Sequence, residues 1–305
     1  MNRFLSIAEE TTASFNELLK RAAALKTAVK VGKVERILDA NESRTSPKVL
    51  ALVFEKASTR TRVSFEMAMH HLGGKGLYLS PQEIGLGKRE AVKDVAVVLG
   101  RYVDGIMARV FRHDDIVTLA ENADVPVING LSDLEHPCQA LGDLETIVEN
   151  GGGAGSKVAF IGDGNNVCHS LMLACALCYM PFVWVGPKGF EPDAEMMEKA
   201  NGFGGKIELS HSIDGLQGAD FVYTDVWASM GQEDETADRQ KKFEAFQLND
   251  DAIKRCPTAK ILHCLPAHRG AEITDSVIDS SNSVVFDQAE NRLYAQMAVI
   301  ERLLG

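Results

Sequence analysis

Several stretches of the chain put reactive side chains directly behind short apolar runs. Ser58, Thr59, Arg60, Thr61 and Arg62 follow the run VLALVF at 49–54. Backbone N–H groups at a helix start converge on one spot, and the helix dipole favours an anion there. The hydroxyls add donors, and Arg60 adds a planar fork that matches phosphate. A capped helix with solvated arginines would explain a single Ser or Thr. Three hydroxyls and two arginines in five residues favour the phosphate reading. His136-Pro137-Cys138-Gln139 follows VPVING. Pro137 suits a first helical position, which sets His136 and Gln139 near a helix mouth where an oxygen can be polarised. A lone histidine is more often a structural residue. Gly162-x-Gly164 after KVAFI hints at a dinucleotide loop. Val167, however, stands at the third glycine position, and no acid ends the next run, FVWVG. Asn165 and Asn166 then read either as amides offered to a small polar ligand or as turn residues. Asp225 ends FVYTD, with Ser229, Met230 and Gly231 behind it. An acid there can bind a substrate ammonium or simply cap a helix. His263, Cys264, His268 and Arg269 cluster around AKILHCLP. Zinc would need a second Cys/His pair at finger or ribbon spacing, or HExxH, and neither occurs. A Cys–His nucleophile stays open but leaves the phosphate-type segment unexplained. Cys175-x-x-Cys178 lies in the apolar LMLACALCYM, where packing is the simpler reading. Arg292, early in the last helical stretch, would by itself be a surface residue.

The elements that must position these groups alternate. Helical spacing over 10–28 precedes the run at 49–54, and a helix is expected at about 61–72, then a turn and strand at GGKGLYLS. Helices at 91–102, 113–122 and 138–149 are interleaved with strands at 104–110 and VPVING. After the Gly-rich loop 150–157, strands KVAFIG, FVWVG, FVYTD and AKILHCLP follow, with a helix at 167–180 and a last one at 289–304. Short continuous apolar runs alternating with helices predict an α/β fold: two domains, each a mostly parallel sheet flanked by helices. The length of 305 residues agrees with about two domains. Lys+Arg number 32 and Asp+Glu 43, a net charge of −11. That balance disfavours nucleic-acid and anionic-membrane partners. No apolar run approaches the ~18 residues of a membrane span, and the first residues carry no apolar core of a secretory signal. Six irregularly spaced cysteines read as reduced thiols in a cytoplasmic protein.

Taken together, STRTR at 58–62, HPCQ at 136–139, DVWASMG at 225–231 and HCLPAHRG at 263–270 resemble the aspartate/ornithine carbamoyltransferase family. The SMG loop and HCLP mark its ornithine branch, and the resemblance covers nearly the whole chain. It implies transfer of a carbamoyl group from carbamoyl phosphate to the δ-amine of L-ornithine, giving L-citrulline and phosphate, without metal or organic cofactor. It implies a carbamoyl-phosphate domain at 1–145, an ornithine domain at 146–286 and a C-terminal helix at 287–305 that packs back on the first domain. Carbamoyl phosphate is expected on Ser58, Thr59, Arg60, Thr61, Arg109, His136, Gln139, Cys264, Leu265 and Arg292. Ornithine is expected on Asn165, Asn166, Asp225, Ser229, Met230 and Cys264. Arg60, Arg109, His136, Asp225 and Cys264 are the expected catalytic groups. The family assembles as trimers or multiples of trimers, with a loop crossing to a neighbouring subunit. Gly85 in SPQEIGLGKRE stands where many bacterial relatives carry Gln, which leaves that contact to the backbone or to Lys88.

Overall fold

The apolar runs become strands because both faces of a parallel sheet are covered, so nearly every side chain along the run is buried. A computed structural model describes residues 3–228 and 236–305. The strands are β1 (Arg3–Phe4), β2 (Val49–Phe54), β3 (Lys75–Leu79), β4 (Gly105–Arg109), β5 (Val127–Leu131), β6 (Val158–Ile161), β7 (Phe182–Val185), β8 (Ile207–Ser210), β9 (Phe221–Thr224) and β10 (Lys260–His263). The helices are α1 (Thr12–Lys30), α2 (Thr59–His71), α3 (Pro81–Ile84), α4 (Val92–Leu99), α5 (His113–Asn122), α6 (Pro137–Glu149), α7 (Asn166–Leu177), α8 (Ala194–Gly202), α9 (Thr236–Phe243), α10 (Asp250–Ile253), α11 (Asp275–Ile278) and α12 (Val285–Leu304).

The chain divides into two compact units. One comprises Met1–Glu10, Asn16–Leu141 and Asn291–Gly305, the other Thr11–Phe15 and Gly142–Glu290. The first unit holds a parallel sheet in the order β1-β5-β4-β2-β3, the second a parallel sheet in the order β10-β9-β6-β7-β8. Side chains alternate across each sheet. Ala51, Val53, Ile106 and Ala108 share one cluster with Val95 and Ile116 from α4 and α5. Ala159, Ile161, Val183, Val185, Val222 and Ile261 form the matching cluster of the second unit.

The later part of α12 returns to the first unit. There Lys26 donates to Asn291 at 2.7 Å, and Arg302 holds the Glu10 carboxylate through two contacts at 2.8 and 2.9 Å. The strand β1 is too short to show any periodicity. The edge strand β8 is only partly buried, which removes the apolar run that marks its neighbours. Gly85 ends α3 in the left-handed region, at φ 49°, and a Cβ there would lie 2.8 Å from the Arg89 Cβ. The absent side chain therefore has a local conformational cause.

Candidate active site

In an open parallel sheet, ligands bind past the carboxyl ends of the strands where the order of connection reverses. In the first unit that reversal lies between β2 and β4, because the chain passes outward from β2 to β3 and returns on the other side. Ser58–Thr61 follow β2, and Arg109 ends β4 opposite Phe54. The Ser58 side chain makes no cap bond to α2. Its hydroxyl turns to Thr61 Oγ1 at 3.2 Å, and the same atom accepts from Arg292 Nη2 at 3.0 Å. The two arginines of STRTR part company. Arg62 leaves the site, donating to Glu66 at 3.1 Å with its guanidinium 3.9 Å from the Tyr78 ring centre. Arg60 stays in the first turn and makes no hydrogen bond or ion pair among the described residues.

The His136 carbonyl accepts from Gln139 N at 3.0 Å and Ala140 N at 3.2 Å, so Pro137 opens α6 as the sequence suggests. His136, Gln139 and Arg292 are all buried. Burial, followed by the charges of Arg292 and Arg109, holds the His136 imidazole well below its ordinary range. It is a neutral ring beside two guanidinium groups. Arg292 thus belongs to the interior and not, as its own segment suggested, to the surface.

In the second unit the order reverses between β6 and β9. Asn165 and Asn166 follow β6, and Asp225 follows β9. Asn165 Oδ1 caps α7, accepting from Val167 N at 3.0 Å and Cys168 N at 3.1 Å. Its Nδ2 donates to Asp225 Oδ2 at 2.8 Å. The Cys264 thiol, just past β10, donates to Asp225 Oδ1 at 3.0 Å. Burial and then the Asp225 charge push the Cys264 thiol well above its ordinary range. A thiol so held is a donor and not a nucleophile, since only the thiolate attacks. His263, next to Cys264 in sequence, engages both ring nitrogens with the Leu265 amide and Glu272, so it is not placed as the base a Cys–His nucleophile needs. Leu265 follows at φ 57°, its N–H donating to His263 Nδ1 at 2.9 Å. Ser229 and Met230 lie outside the described residues.

Asp225, His263 and Cys264 offer ligand atoms within 4.8 Å of one another. They do not make a metal centre. His263 Nδ1 accepts the Leu265 amide, and Nε2 faces Glu272 Oε1 at 3.1 Å, which leaves the ring no lone pair to give. The glycines at 162 and 164 also have a local cause. Gly162 sits at φ 137°, and a Cβ on Gly164 would fall 2.2 Å from Pro192 N.

A buried ion pair that no local pattern signals lies beside these groups. Arg239 Nη1 donates to Asp163 Oδ2 at 2.7 Å and to the Trp227 carbonyl at 3.0 Å. All six cysteines are free, and among the described residues no helix is long and apolar enough to cross a membrane.

The family model of the aspartate/ornithine carbamoyltransferase carbamoyl-P binding domain matches residues 2–149, and that of the Asp/Orn binding domain matches residues 154–303. The chain belongs to the aspartate/ornithine carbamoyltransferase family. It is 50% identical to a Thermococcus kodakarensis protein named ornithine carbamoyltransferase, over 99% of this chain and 96% of that one. It is equally identical to a Pyrococcus furiosus relative named ornithine carbamoyltransferase, anabolic, with the same coverage. Solved structures agree. The ornithine carbamoyltransferase from Pyrococcus furiosus superposes with a TM-score of 0.92 at 50% identity, over 98% of this chain and 96% of that one. The enzyme from Thermus thermophilus gives 0.88 at 42% identity, over 100% of this chain and 99% of the other.

Proposed function

We propose that the protein is an ornithine carbamoyltransferase: carbamoyl phosphate and L-ornithine give L-citrulline and phosphate. The observation that carries this reading is the opposite furnishing of two like sheets. Hydroxyls and guanidinium groups gather at the first reversal, a carboxylate flanked by an amide and a thiol at the second. Transfer from an acyl phosphate to an amine needs those two kinds of site.

In this reading Ser58, Thr59, Arg60, Thr61, Arg109 and Arg292 hold the phosphate, and Arg109, His136 and Gln139 face the carbamoyl end. A neutral buried imidazole can donate a hydrogen bond to an oxygen that gains negative charge without giving up its proton. Cys264 and Leu265 complete the carbamoyl contacts. Asn165, Asn166, Asp225, Ser229, Met230 and Cys264 take ornithine. A lysine-like amine has a solution pKa of about 10.4, so nearly all of it is protonated at neutral pH. Asp225 binds that ammonium and orients the nitrogen; one proton passes to solvent, the nitrogen lone pair attacks the carbamoyl carbon, and the second proton leaves the nitrogen with the departing phosphate. The new C–N bond forms as the C–O bond to phosphate breaks, and phosphate departs with the electron pair. No step requires a metal or organic cofactor.

The functional unit in this reading is a homotrimer or a multiple of it. Apolar groups exposed on α2 and the edge strand β3, Val63, Met67 and Leu77, support an oligomer. Free cysteines support a reducing cytoplasm. The relative named anabolic supports a role in arginine biosynthesis.

Colorimetric detection of citrulline from purified protein tests the proposal. Turnover with aspartate, putrescine or an N-acylated ornithine in place of ornithine would assign a different carbamoyltransferase. Ligand binding without turnover would assign a non-catalytic relative.

A further inference from the structure

We propose that Arg239 and Asp163 form a positioning pair that sets the ornithine amine site without touching substrate. The inference rests on the ornithine reading of that site and deepens it. Both residues are buried, at 8% and 9% exposure. A buried ion pair is a poor source of stability, because desolvation offsets much of the attraction, so its presence here calls for another account.

The geometry supplies one. A single nitrogen, Arg239 Nη1, serves both the Asp163 carboxylate at 2.7 Å and the Trp227 carbonyl at 3.0 Å. It therefore ties together the two loops that carry the amine site. Asp163 sits between Gly162 and Gly164, two residues before Asn165, and Trp227 lies two residues after Asp225. Asn165 and Asp225 are in turn bonded at 2.8 Å. Main-chain bonds from Gly162 N to the Val185 carbonyl at 2.9 Å and from Gly164 N to the Phe190 carbonyl at 2.8 Å hold the 162–164 turn, and the ion pair adds its tie to the Trp227 loop. The guanidinium is itself anchored. It lies 5.1 Å from the Phe190 ring centre, and Phe243, from the same helix α9, meets Phe190 at 4.8 Å and stacks on Trp227 at 5.8 Å. A shift at Arg239 is thus delivered through main chain on both sides to the carboxylate that orients the amine.

The test compares wild type, R239Q, D163N and R239K, with ornithine KM and kcat measured at saturating carbamoyl phosphate. Binary carbamoyl phosphate binding and the melting temperature are measured alongside. Small misplacements at a reacting group cost up to about a hundredfold. R239Q and D163N are expected to raise the ornithine KM or lower kcat by at least about tenfold in combination, with carbamoyl phosphate affinity within about twofold of wild type. R239K, which keeps the positive charge on a single nitrogen, is expected to recover part of the loss. A lowered melting temperature with unchanged ornithine kinetics, or an equal loss for both substrates, would overturn the pair's positioning role and leave the function intact. A wild-type protein that fails to turn over ornithine would overturn the function, and this proposal with it.

Discussion

Replacing Arg292 by Gln tests the phosphate site at the residue that its own sequence segment disguises. Arg292 donates to Thr61 Oγ1 at 3.0 Å and stands close enough to His136 to help depress its pKa. It is 4% exposed, so water does little to screen its charge. A hydrogen bond between a charged group and its partner contributes about 1.5–3 kcal/mol. At about 1.4 kcal/mol per tenfold, its loss weakens carbamoyl phosphate binding about 10- to 150-fold. Calorimetric titration with a hydrolysis-resistant phosphonate analogue, in the absence of ornithine, reads this directly. The Lys variant keeps the charge but not the planar fork, and should fall between the two. The side chain also bonds Thr61 within the fold, so the melting temperature must be recorded with each variant. Affinity within about twofold of wild type, in a folded R292Q protein, would refute the placement of the anion at the β2/β4 reversal.

Other consequences are open to measurement. Asp225→Asn should weaken ornithine at least about tenfold more than it weakens carbamoyl phosphate, because the substrate ammonium loses its counter-charge; equal losses in separate titrations would contradict the assignment. His136 is held neutral when folded but takes a proton near pH 6.5 when unfolded, so the unfolded state binds more protons below that pH. Stability should therefore fall as pH drops below about 6.5 toward the depressed folded value, and His136→Gln should flatten melting temperature against pH in that window. Gly164→Ala would drive a Cβ to 2.2 Å from Pro192 N and 2.4 Å from the Glu191 carbonyl carbon. Overpacking of that kind costs about 1–3 kcal/mol, so a melting temperature equal to wild type would show that the turn yields freely.

What could be read without coordinates was what lies along the chain. VLALVF, KVAFIG and FVYTD are self-contained apolar runs, and the chemistry directly behind each follows from the topology of parallel sheets. The strand β8 was hidden because an edge strand needs no apolar run, and β1 because two residues show no period. Arg292 was legible only through the resemblance, since its burial comes from the return of α12 to the first unit. Arg239 and Asp163 lie 76 residues apart, and no local pattern connects them. Gly162-x-Gly164 hinted at a nucleotide loop that Val167 and the run FVWVG already opposed: its glycines answer a positive φ and a close backbone approach, and those demands are common to many turns besides nucleotide loops.

The two reversals pose a question that topology alone does not answer. Both sheets present a helix N-terminus beside the reversal, and a helix N-terminus attracts anions; yet in the proposed reading one site takes an anion and the other a cation. The difference lies in the capping residue. At α2 the Ser58 hydroxyl turns to Thr61 and leaves the first-turn amides without a side-chain cap, so the field and the donors face outward. At α7 the Asn165 carbonyl oxygen consumes the amides of Val167 and Cys168, while its NH2 group steers a carboxylate, Asp225, into the same region. The helix field is thus met by a protein anion in place of a ligand anion, and the net charge offered to a ligand becomes negative. One side-chain exchange, Asn165→Ser, keeps the cap but removes the donor to Asp225. Ornithine affinity should then fall while α7 stays formed, and a variant that keeps wild-type ornithine affinity would show that Asp225 holds its place without the amide.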